Sequence, residues 1–285
     1  MSWLFSPPDR GYTTQSVYLC TGYNGSVNIT THKKYAIDSW SAMTDIPAGL
    51  RAHAQGGTIS GKGYLMSGVP NYTGGYSYDP FTGSGTWSAN LTTCPDGDYF
   101  LRGGAINNIS YIAGGNAYRK SNRSYTPATS AWASATASSE DLFRGGAFCI
   151  GQKLYCATNN AANSTSNLEW DGSTWTSRAT CLQASMGQTL TDIRRTRGYQ
   201  LGYNAGGATK GNEYIFNTWT AGPSCLTNGG HQDGGSASTY TRAFVMCGVL
   251  DDTSTVSNLV MSLTMSTFVS VANAFATNYT SGMSI

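Results

Sequence analysis

Two series of aromatic residues recur along almost the whole chain with the same period. The first series is Tyr18, Tyr64, Tyr111, Tyr155, Tyr199 and Phe244, and the second is Trp40, Trp87, Trp132, Trp175, Trp219 and Phe268. Consecutive members of either series lie 43 to 49 residues apart. Two independent series with one period indicate a repeated structural unit, and a period near 45 is typical of the blades of a β-propeller.

The stretch from Arg51 to Trp87 shows what one repeat contains. Its apolar or aromatic segments are residues 56–59, 64–68, 76–78 and 85–87, and they are separated by Gly, Asn and Pro. Segments of this length with such turn residues between them form antiparallel meanders. We therefore predict an all-β fold without helices, a six-bladed β-propeller of four-stranded antiparallel blades.

The repeats also predict the organisation of the chain. We place the propeller at residues 10–271, with blades at about 10–49, 50–97, 98–139, 140–182, 183–226 and 227–271. Residues 1–9 form a lead-in, and we expect Trp3 to close the ring as a fourth strand of the last blade, because an unpaired seam would leave an exposed sheet edge. The competing interpretation is that Phe268 completes the last blade. Residues 272–285 are predicted to be a polar tail.

Composition excludes several partners. Only 11% of the residues are charged, the formal net charge is +2, and Lys and Arg are scattered. Nucleic-acid binding needs a concentrated basic surface, so we predict no nucleic-acid partner. The apolar stretch 255–276 is interrupted by Ser, Thr and Asn, which argues against membrane insertion. The first ten residues do not resemble a secretion signal, which favours synthesis in a reducing cytoplasm.

The seven cysteines follow the repeat. Cys94, Cys181 and Cys225 each come six or seven residues after a Trp of the second series, while Cys20, Cys156 and Cys247 fall on predicted second strands. No C-x-x-C pair occurs. We interpret the cysteines as small buried apolar residues, and predict neither a disulfide framework nor a zinc site.

The repeat resembles the kelch family. The second blade, RAHAQGGTISGKGYLMSG, has an Arg, a small polar hairpin and an aromatic strand that ends in Gly, and YIAGG in the third blade carries the diglycine of the family. YSYD at 76–79 with Trp87 matches the tyrosine-and-tryptophan half. The diglycine is replaced in the fourth and fifth blades, which are assigned by period and aromatics alone. The resemblance implies a β-propeller and leaves the function open, because propellers of this kind include oxidases, scaffolds and adhesive proteins.

Catalytic chemistry has little support in the sequence. The three histidines are His32, which we place in a loop of the first blade, His53 and His231, and they are too scattered for the copper site of a kelch-like oxidase. Asp38, Asp79 and Asp171 recur at equivalent turns, where an Asp side chain caps its own turn. EWDGSTW at 169–175 only partly matches the Asp-box of sialidases. We predict no catalytic residue, no metal and no cofactor.

One face of the propeller collects a set of Arg and Tyr residues. In each blade, the connection from the fourth strand to the next blade and the loop between the second and third strands lie on the same face. The predicted binding residues on this face are Arg10, Arg51, Arg102, Arg144, Tyr23, Tyr72, Tyr118 and Tyr203. Arg with exposed Tyr suits a glycan or a protein partner. The alternative is that these arginines are structural and bridge neighbouring blades.

Three classes of function remain open. Chains rich in Gly, Ser, Thr, Asn and Tyr, with few charges, resemble virion components of tailed bacteriophages. That resemblance implies a non-enzymatic capsid or tail protein, present in several copies on a symmetric assembly, that binds other virion proteins or a host-surface receptor. A virion protein of this kind is made in the host cytoplasm, and the alternative location is the cytoplasm itself. The second class is a carbohydrate-binding lectin, and the third is a glycan-active enzyme of sialidase or oxidase type.

Overall fold

The structure is a computed structural model that describes residues 16–23, 28–36, 39–47, 50–52, 55–70, 73–88, 91–99, 101–117, 120–143, 145–158, 164–182, 189–191, 196–201, 211–222, 231–232, 235–238, 243–250, 256–264, 267–271 and 281–284. Every regular element in these ranges is a β-strand, as the sequence predicts. Within the same residues, no helix offers the length and apolar character that a membrane crossing requires.

The strands are short, with two to nine residues each. Those of the first 88 residues are β1 (Val17–Tyr23), β2 (Asn28–Ala36), β3 (Ser39–Ala42), β4 (Leu50–Ala52), β5 (Gln55–Ile59), β6 (Lys62–Met66), β7 (Val69–Pro70), β8 (Gly75–Asp79) and β9 (Thr86–Ser88). The next are β10 (Arg102–Ile106), β11 (Ile109–Ala113), β12 (Asn122–Thr126), β13 (Ala131–Ser134), β14 (Gly145–Ile150), β15 (Lys153–Thr158), β16 (Asn167–Trp170) and β17 (Trp175–Ser177). The last are β18 (Thr189–Thr191), β19 (Gly198–Leu201), β20 (Gly211–Ile215), β21 (Thr218–Gly222), β22 (His231–Gln232), β23 (Gly235–Ser238), β24 (Ala243–Leu250), β25 (Val256–Thr264), β26 (Thr267–Val271) and β27 (Ser281–Ser284).

Pairing among these strands is antiparallel throughout, and it builds several four-stranded sheets. The second to fifth sheets have the orders β5-β6-β8-β9, β10-β11-β12-β13, β14-β15-β16-β17 and β18-β19-β20-β21. The sixth has the order β22-β24-β25-β26, with β23 also paired to β24. The first has the order β27-β1-β2-β3, and β4 and β7 form a separate two-stranded pair. The predicted segments of the second repeat, residues 56–59, 64–68, 76–78 and 85–87, coincide with β5, β6, β8 and β9 to within a few residues.

The first strand of each sheet contacts the first strand of the next sheet. These contacts join β5 to β10, β10 to β14, β14 to β18 and β18 to β23. In the first sheet, the strand at this position is β27, although it comes last in the chain. The contacts continue from β23 to β27 and from β27 to β5, so the series returns to its starting strand.

The C-terminal segment corrects one prediction. Residues 272–285 read as a polar tail, yet Ser281–Ser284 form β27, which pairs with β1 as the innermost strand of the first sheet. The segment is too short and polar to register as a strand by itself, and only its partner β1 makes it one. The outermost position of the sixth sheet is held by β26, which contains Phe268. This agrees with the competing interpretation of the sequence. Trp3 and the rest of the lead-in lie outside the described residues.

Aromatic rings fill the spaces between neighbouring sheets. A Tyr of the second strand meets a Tyr or Trp on the third strand of the following sheet, with ring centroids 5.3 to 6.2 Å apart. These pairs are Tyr18–Tyr78, Tyr64–Tyr125, Tyr111–Trp170 and Tyr155–Tyr214. The third-strand ring then packs on the fourth-strand Trp of its own sheet at 4.8 to 5.2 Å. Such contacts bury large apolar surfaces and add an aromatic–aromatic attraction, so both series that recur in the sequence serve the packing of one sheet on the next.

Candidate functional site

The connections after the fourth strands and those after the second strands meet on one face, here called the loop face. In the second sheet, β4 belongs to the first kind of connection and β7 to the second, and they pair with each other. In the third sheet, the backbone N–H of Gly115 donates to the Leu142 carbonyl at 2.9 Å, and that of Asn116 to the Tyr99 carbonyl at 3.1 Å. The predicted arrangement of the loop face is confirmed for these two sheets.

The diglycine of the third sheet is required by this meeting of connections. Gly114 has φ +73°, and a Cβ at this position would lie 1.8 Å from the carbonyl oxygen of Leu142. A side chain is therefore excluded both by the backbone conformation and by the neighbouring connection.

The structure places three of the eight predicted binding residues. Tyr23 ends β1, and Arg51 lies in β4 beside the connection that leads toward Tyr72. Arg102 begins β10 and is only 1% exposed. Burial to this degree favours the structural alternative for Arg102, because a surface partner has no access to its guanidinium. The other five lie outside the described residues: Arg10, Tyr72, Tyr118, Arg144 and Tyr203.

The turns at the opposite face, here called the turn face, are capped by their own Asp residues. Asp171 Oδ1 accepts hydrogen bonds from the backbone N–H groups of Ser173 and Thr174, both at 2.8 Å. These bonds lower the pKa of Asp171 well below its ordinary value. Asp79 Oδ1 accepts from the Phe81 N–H at 3.0 Å in the same way. Both carboxylates hold turns, as the sequence predicted, while Asp38 lies outside the described residues.

A second buried group is the carboxylate of Glu169 on β16, a residue that is 4% exposed. Arg178 binds it through Nε and Nη2 at 2.9 and 2.8 Å, Lys153 Nζ lies 2.5 Å from Oε1, and the Tyr155 hydroxyl donates to Oε2 at 2.6 Å. Burial by itself would raise the pKa of Glu169, but these bonds together lower it to about 2. Glu169 is thus a fixed anion. It is unsuited to give up a proton near neutral pH.

The fifth sheet repeats this arrangement in a more exposed form. Glu213 on β20 accepts from Arg197 Nη1 at 2.7 Å and from the Tyr199 hydroxyl at 3.2 Å. Tyr199 stands opposite Glu213 in the register, as Tyr155 stands opposite Glu169. The same ion pair therefore occurs at equivalent positions of two neighbouring sheets, which favours a structural role for Glu169 and Glu213.

His32 is misplaced by the sequence prediction. It lies within β2, not in a loop, and its side chain is fully buried against Tyr18, Tyr78 and Trp87. Nδ1 lies 3.2 Å from the Thr44 carbonyl. Burial lowers the pKa of His32 to about 4, although the bond to Thr44 opposes this shift. Only the pairing of β2 with β1, in which His32 stands opposite Cys20, shows that His32 belongs to a strand.

No group of three or more His, Cys, Asp and Glu side chains that could hold a metal ion occurs among the described residues. His53 lies outside them, and His231 is in β22. Cys94, Cys149, Cys156 and Cys181 are buried free thiols. Burial raises the pKa of Cys94 to about 11 and that of Cys156 to about 12, which agrees with their interpretation as apolar core residues.

One exposed aromatic on the turn face escaped the sequence prediction. Phe216 lies in the turn between β20 and β21 with φ +48° and is 96% exposed. Bulky residues rarely adopt this conformation. The turn is fixed by Asn217, whose Oδ1 accepts from the Tyr214 hydroxyl at 3.0 Å and from the Ala179 N–H at 3.1 Å. The sequence does contain a signal for this turn, because Phe216 and Asn217 form a two-residue connection of the kind that joins the strands of a β-hairpin.

No protein-family model matches the chain, and no curated protein matches it. Solved structures do match. The structure of YjhT aligns with 92% of this chain and 95% of its own length, with a TM-score of 0.72 and 16% sequence identity. At this identity the likeness is one of fold.

Proposed function

We propose that the chain is a six-bladed, kelch-type β-propeller that works as a non-enzymatic interaction protein. The cyclic series of contacts between first strands, from β5 through β10, β14, β18, β23 and β27 back to β5, carries this proposal for the fold. Each four-stranded sheet is then one blade, and β27 closes the ring within the first blade. A closed ring removes the exposed inner edges that would otherwise invite pairing with other chains.

The proposal of an interaction role rests on how the described charged groups are used. Glu169, Asp171 and Asp79 are each bonded within their own repeat, where they fix strands or turns. Contact with other molecules is left to the loops, and loops held by a rigid scaffold are the usual carriers of binding. The composition favours the virion of a tailed phage, with other virion proteins or a host-surface receptor as partners.

The test is co-sedimentation of the protein with assembled phage particles, prepared from a lysate of cells that make both. A virion component will remain with the particles through a density gradient and a salt wash. Its copy number, from quantitative mass spectrometry, will be a multiple set by the symmetry of the assembly. A protein that stays in the soluble fraction of such a gradient contradicts the virion role.

A second candidate is a carbohydrate-binding lectin. It is favoured by the pairing of β4 with β7, which brings the strand of Arg51 next to the loop that leads to Tyr72. A glycan array probed with the wild-type protein and with Arg51→Ala and Tyr72→Ala tests it. Arg102→Ala is unsuited as a binding variant, because Arg102 is buried and its removal will disturb folding.

A further inference from the structure

His32 occupies a position that recurs in other sheets. Its backbone carbonyl accepts a hydrogen bond from Met43 N–H, just after the fourth strand of the first sheet, at 3.0 Å. The carbonyls of Asn122 and Asn167 accept the equivalent bonds in the third and fourth sheets, both at 2.9 Å. The three residues are therefore equivalent members of the repeat, and His32 is the one whose side chain can take up a proton.

The side chain of His32 makes the same bond as one of these asparagines. Asn122 Nδ2 donates to the Thr136 carbonyl at 3.4 Å, and His32 Nδ1 lies 3.2 Å from the Thr44 carbonyl. Because a carbonyl can only accept, Nδ1 carries the hydrogen and Nε2 is the basic nitrogen of the neutral ring. Nε2 is buried, and it has no hydrogen-bond partner among the described residues.

The imidazole is enclosed by aromatic rings from two sheets. Its centroid lies 4.5 Å from that of Tyr78 and 5.2 Å from that of Trp87, both in the second sheet, and 5.5 Å from that of Tyr18 in the first. The titratable or charged residues on the elements around it are Tyr18, Cys20 and Tyr23 of β1, Lys33, Lys34 and Tyr35 of β2, Asp45 of the linker, Arg51 of β4, and Tyr76, Tyr78 and Asp79 of β8. Asp45 Oδ1 accepts a hydrogen bond from the backbone N–H of His32, not from its imidazole, at 3.3 Å.

We propose that His32 makes the junction between the first and second sheets acid-sensitive, so that protonation of Nε2 loosens this junction and releases β27 from β1. A proton on Nε2 would create a buried cation whose new N–H has no hydrogen-bond acceptor among the described residues, and an unpaired buried charge is strongly unfavourable. We expect the opening to be confined to the strands next to His32. His32 stands opposite Cys20 on β1, and Cys20 stands opposite Ser281 on β27, so β1 and β27 lie directly beside it in the first sheet.

The direction of the pH dependence follows from burial. The pKa of His32 falls from its ordinary 6.5 to about 4 in the folded protein, so the unfolded chain binds the proton more readily. The stability that neutral His32 contributes is fully present above about pH 6.5 and is lost as the pH falls toward 4. Because the ordinary pKa values of Asp and Glu side chains lie below 5, a comparison of pH 7 with pH 5 reports mainly on histidine.

His32→Asn is the matched variant, because it installs the residue that the third and fourth sheets use at this position. Urea unfolding of both proteins at pH 7 and pH 5 is the measurement. We expect the unfolding equilibrium constant of the wild type to rise by on the order of twentyfold more than that of His32→Asn. An equal pH dependence of the two proteins overturns the proposal.

Two measurements on the wild type keep the proposal testable if His32→Asn does not fold. In a nuclear magnetic resonance titration, we expect the His32 imidazole to stay neutral down to pH 5, and ionisation near 6.5 overturns the proposal. In hydrogen exchange corrected for the intrinsic rate, we expect faster opening at pH 5 than at pH 7 in residues 17–20 and 281–284, with residues 145–158 unchanged. A uniform change over all three segments would show that no local junction opens.

Discussion

The indole Nε1 of Trp132 donates a hydrogen bond to the backbone carbonyl of Thr92 at 2.7 Å. Thr92 lies in the linker that leaves the second sheet, and Trp132 lies on the fourth strand of the third. The Thr92 hydroxyl in turn donates to the Ser130 carbonyl in the turn before that strand, at 2.8 Å. The same indole bond occurs from Trp87 to Thr44, from Trp175 to Thr136 and from Trp219 to Ala179. Each linker is thereby attached to the sheet that follows it.

Replacement of Trp132 by Phe keeps an aromatic ring and removes the indole donor. We expect the free energy of unfolding to fall by about 1–2 kcal/mol, because one hydrogen bond and part of the buried ring area are lost. Urea unfolding gives the value. Thr92→Val is the control, because it removes the hydroxyl that donates to the Ser130 carbonyl. It should lower the stability less, since the backbone carbonyl of residue 92 still accepts the indole bond. A Trp132→Phe protein as stable as the wild type would mean that the linker bond contributes nothing.

Glu169→Gln tests the enclosed ion pair of the fourth sheet. The change leaves Lys153 and Arg178 beside a neutral amide, and we expect a loss of about 2–3 kcal/mol. Glu213→Gln is the matched control, because Glu213 makes the equivalent bonds at the surface, where Arg197 is 45% exposed. Its loss should stay below about 1 kcal/mol. Equal losses would show that burial of Glu169 does not strengthen its bonds.

The same residue predicts a pH dependence. Because the folded-state pKa of Glu169 is about 2 and its ordinary value is 4.5, its contribution to stability is present above pH 4.5 and is lost as the pH falls toward 2. Between pH 4.5 and 2, thermal unfolding of the wild type should therefore decline more steeply than that of Glu169→Gln. Parallel curves would contradict the assignment of Glu169 as a fixed anion.

Gly114→Ala should prevent normal folding of the third sheet. The added methyl carbon would lie 1.8 Å from the Leu142 carbonyl oxygen in a backbone conformation that already disfavours Ala. We expect a loss well above 4 kcal/mol, seen as insoluble or unfolded protein by circular dichroism. Gly151→Ala is the control, since Gly151 also has a positive φ but has no atom within 4 Å of the added carbon. Its loss should be about 1 kcal/mol. A soluble, folded Gly114→Ala protein would contradict the close approach of the Leu142 linker.

Phe216→Asn should leave the fold intact and raise its stability by about 0.5 kcal/mol, because Asn accepts the positive φ of this hairpin turn better than Phe does. Thermal unfolding measures the effect. A decrease in stability would show that Phe216 packs against something in the folded protein and is not a free surface residue.

The sequence predicted the repeating part of this fold well, because the two aromatic series have direct structural causes. A third series, Tyr78, Tyr125, Trp170 and Tyr214, has the same spacing and was present in the sequence, and it marks the third strands. β27 and the inward orientation of His32 could not be predicted, since both depend on a partner strand distant in sequence. The turn-capping role of Asp171 was predictable because its bonds are local. The burial of Arg102 was not, because its surroundings come from other strands.

The pairing of β27 with β1 is the most direct test of a single ring of six blades. Ser281 stands opposite Cys20 across this pair, so Ser281→Cys places a second thiol next to the native one. Treatment of the folded variant with a short crosslinker that carries two thiol-reactive groups, followed by peptide mapping, should give a product that joins position 281 to Cys20. Ser270→Cys on β26 is the control that should give no link to Cys20, because β26 lies in the sixth sheet. A folded Ser281→Cys protein without a link to Cys20 would contradict closure of the ring by the C-terminal strand.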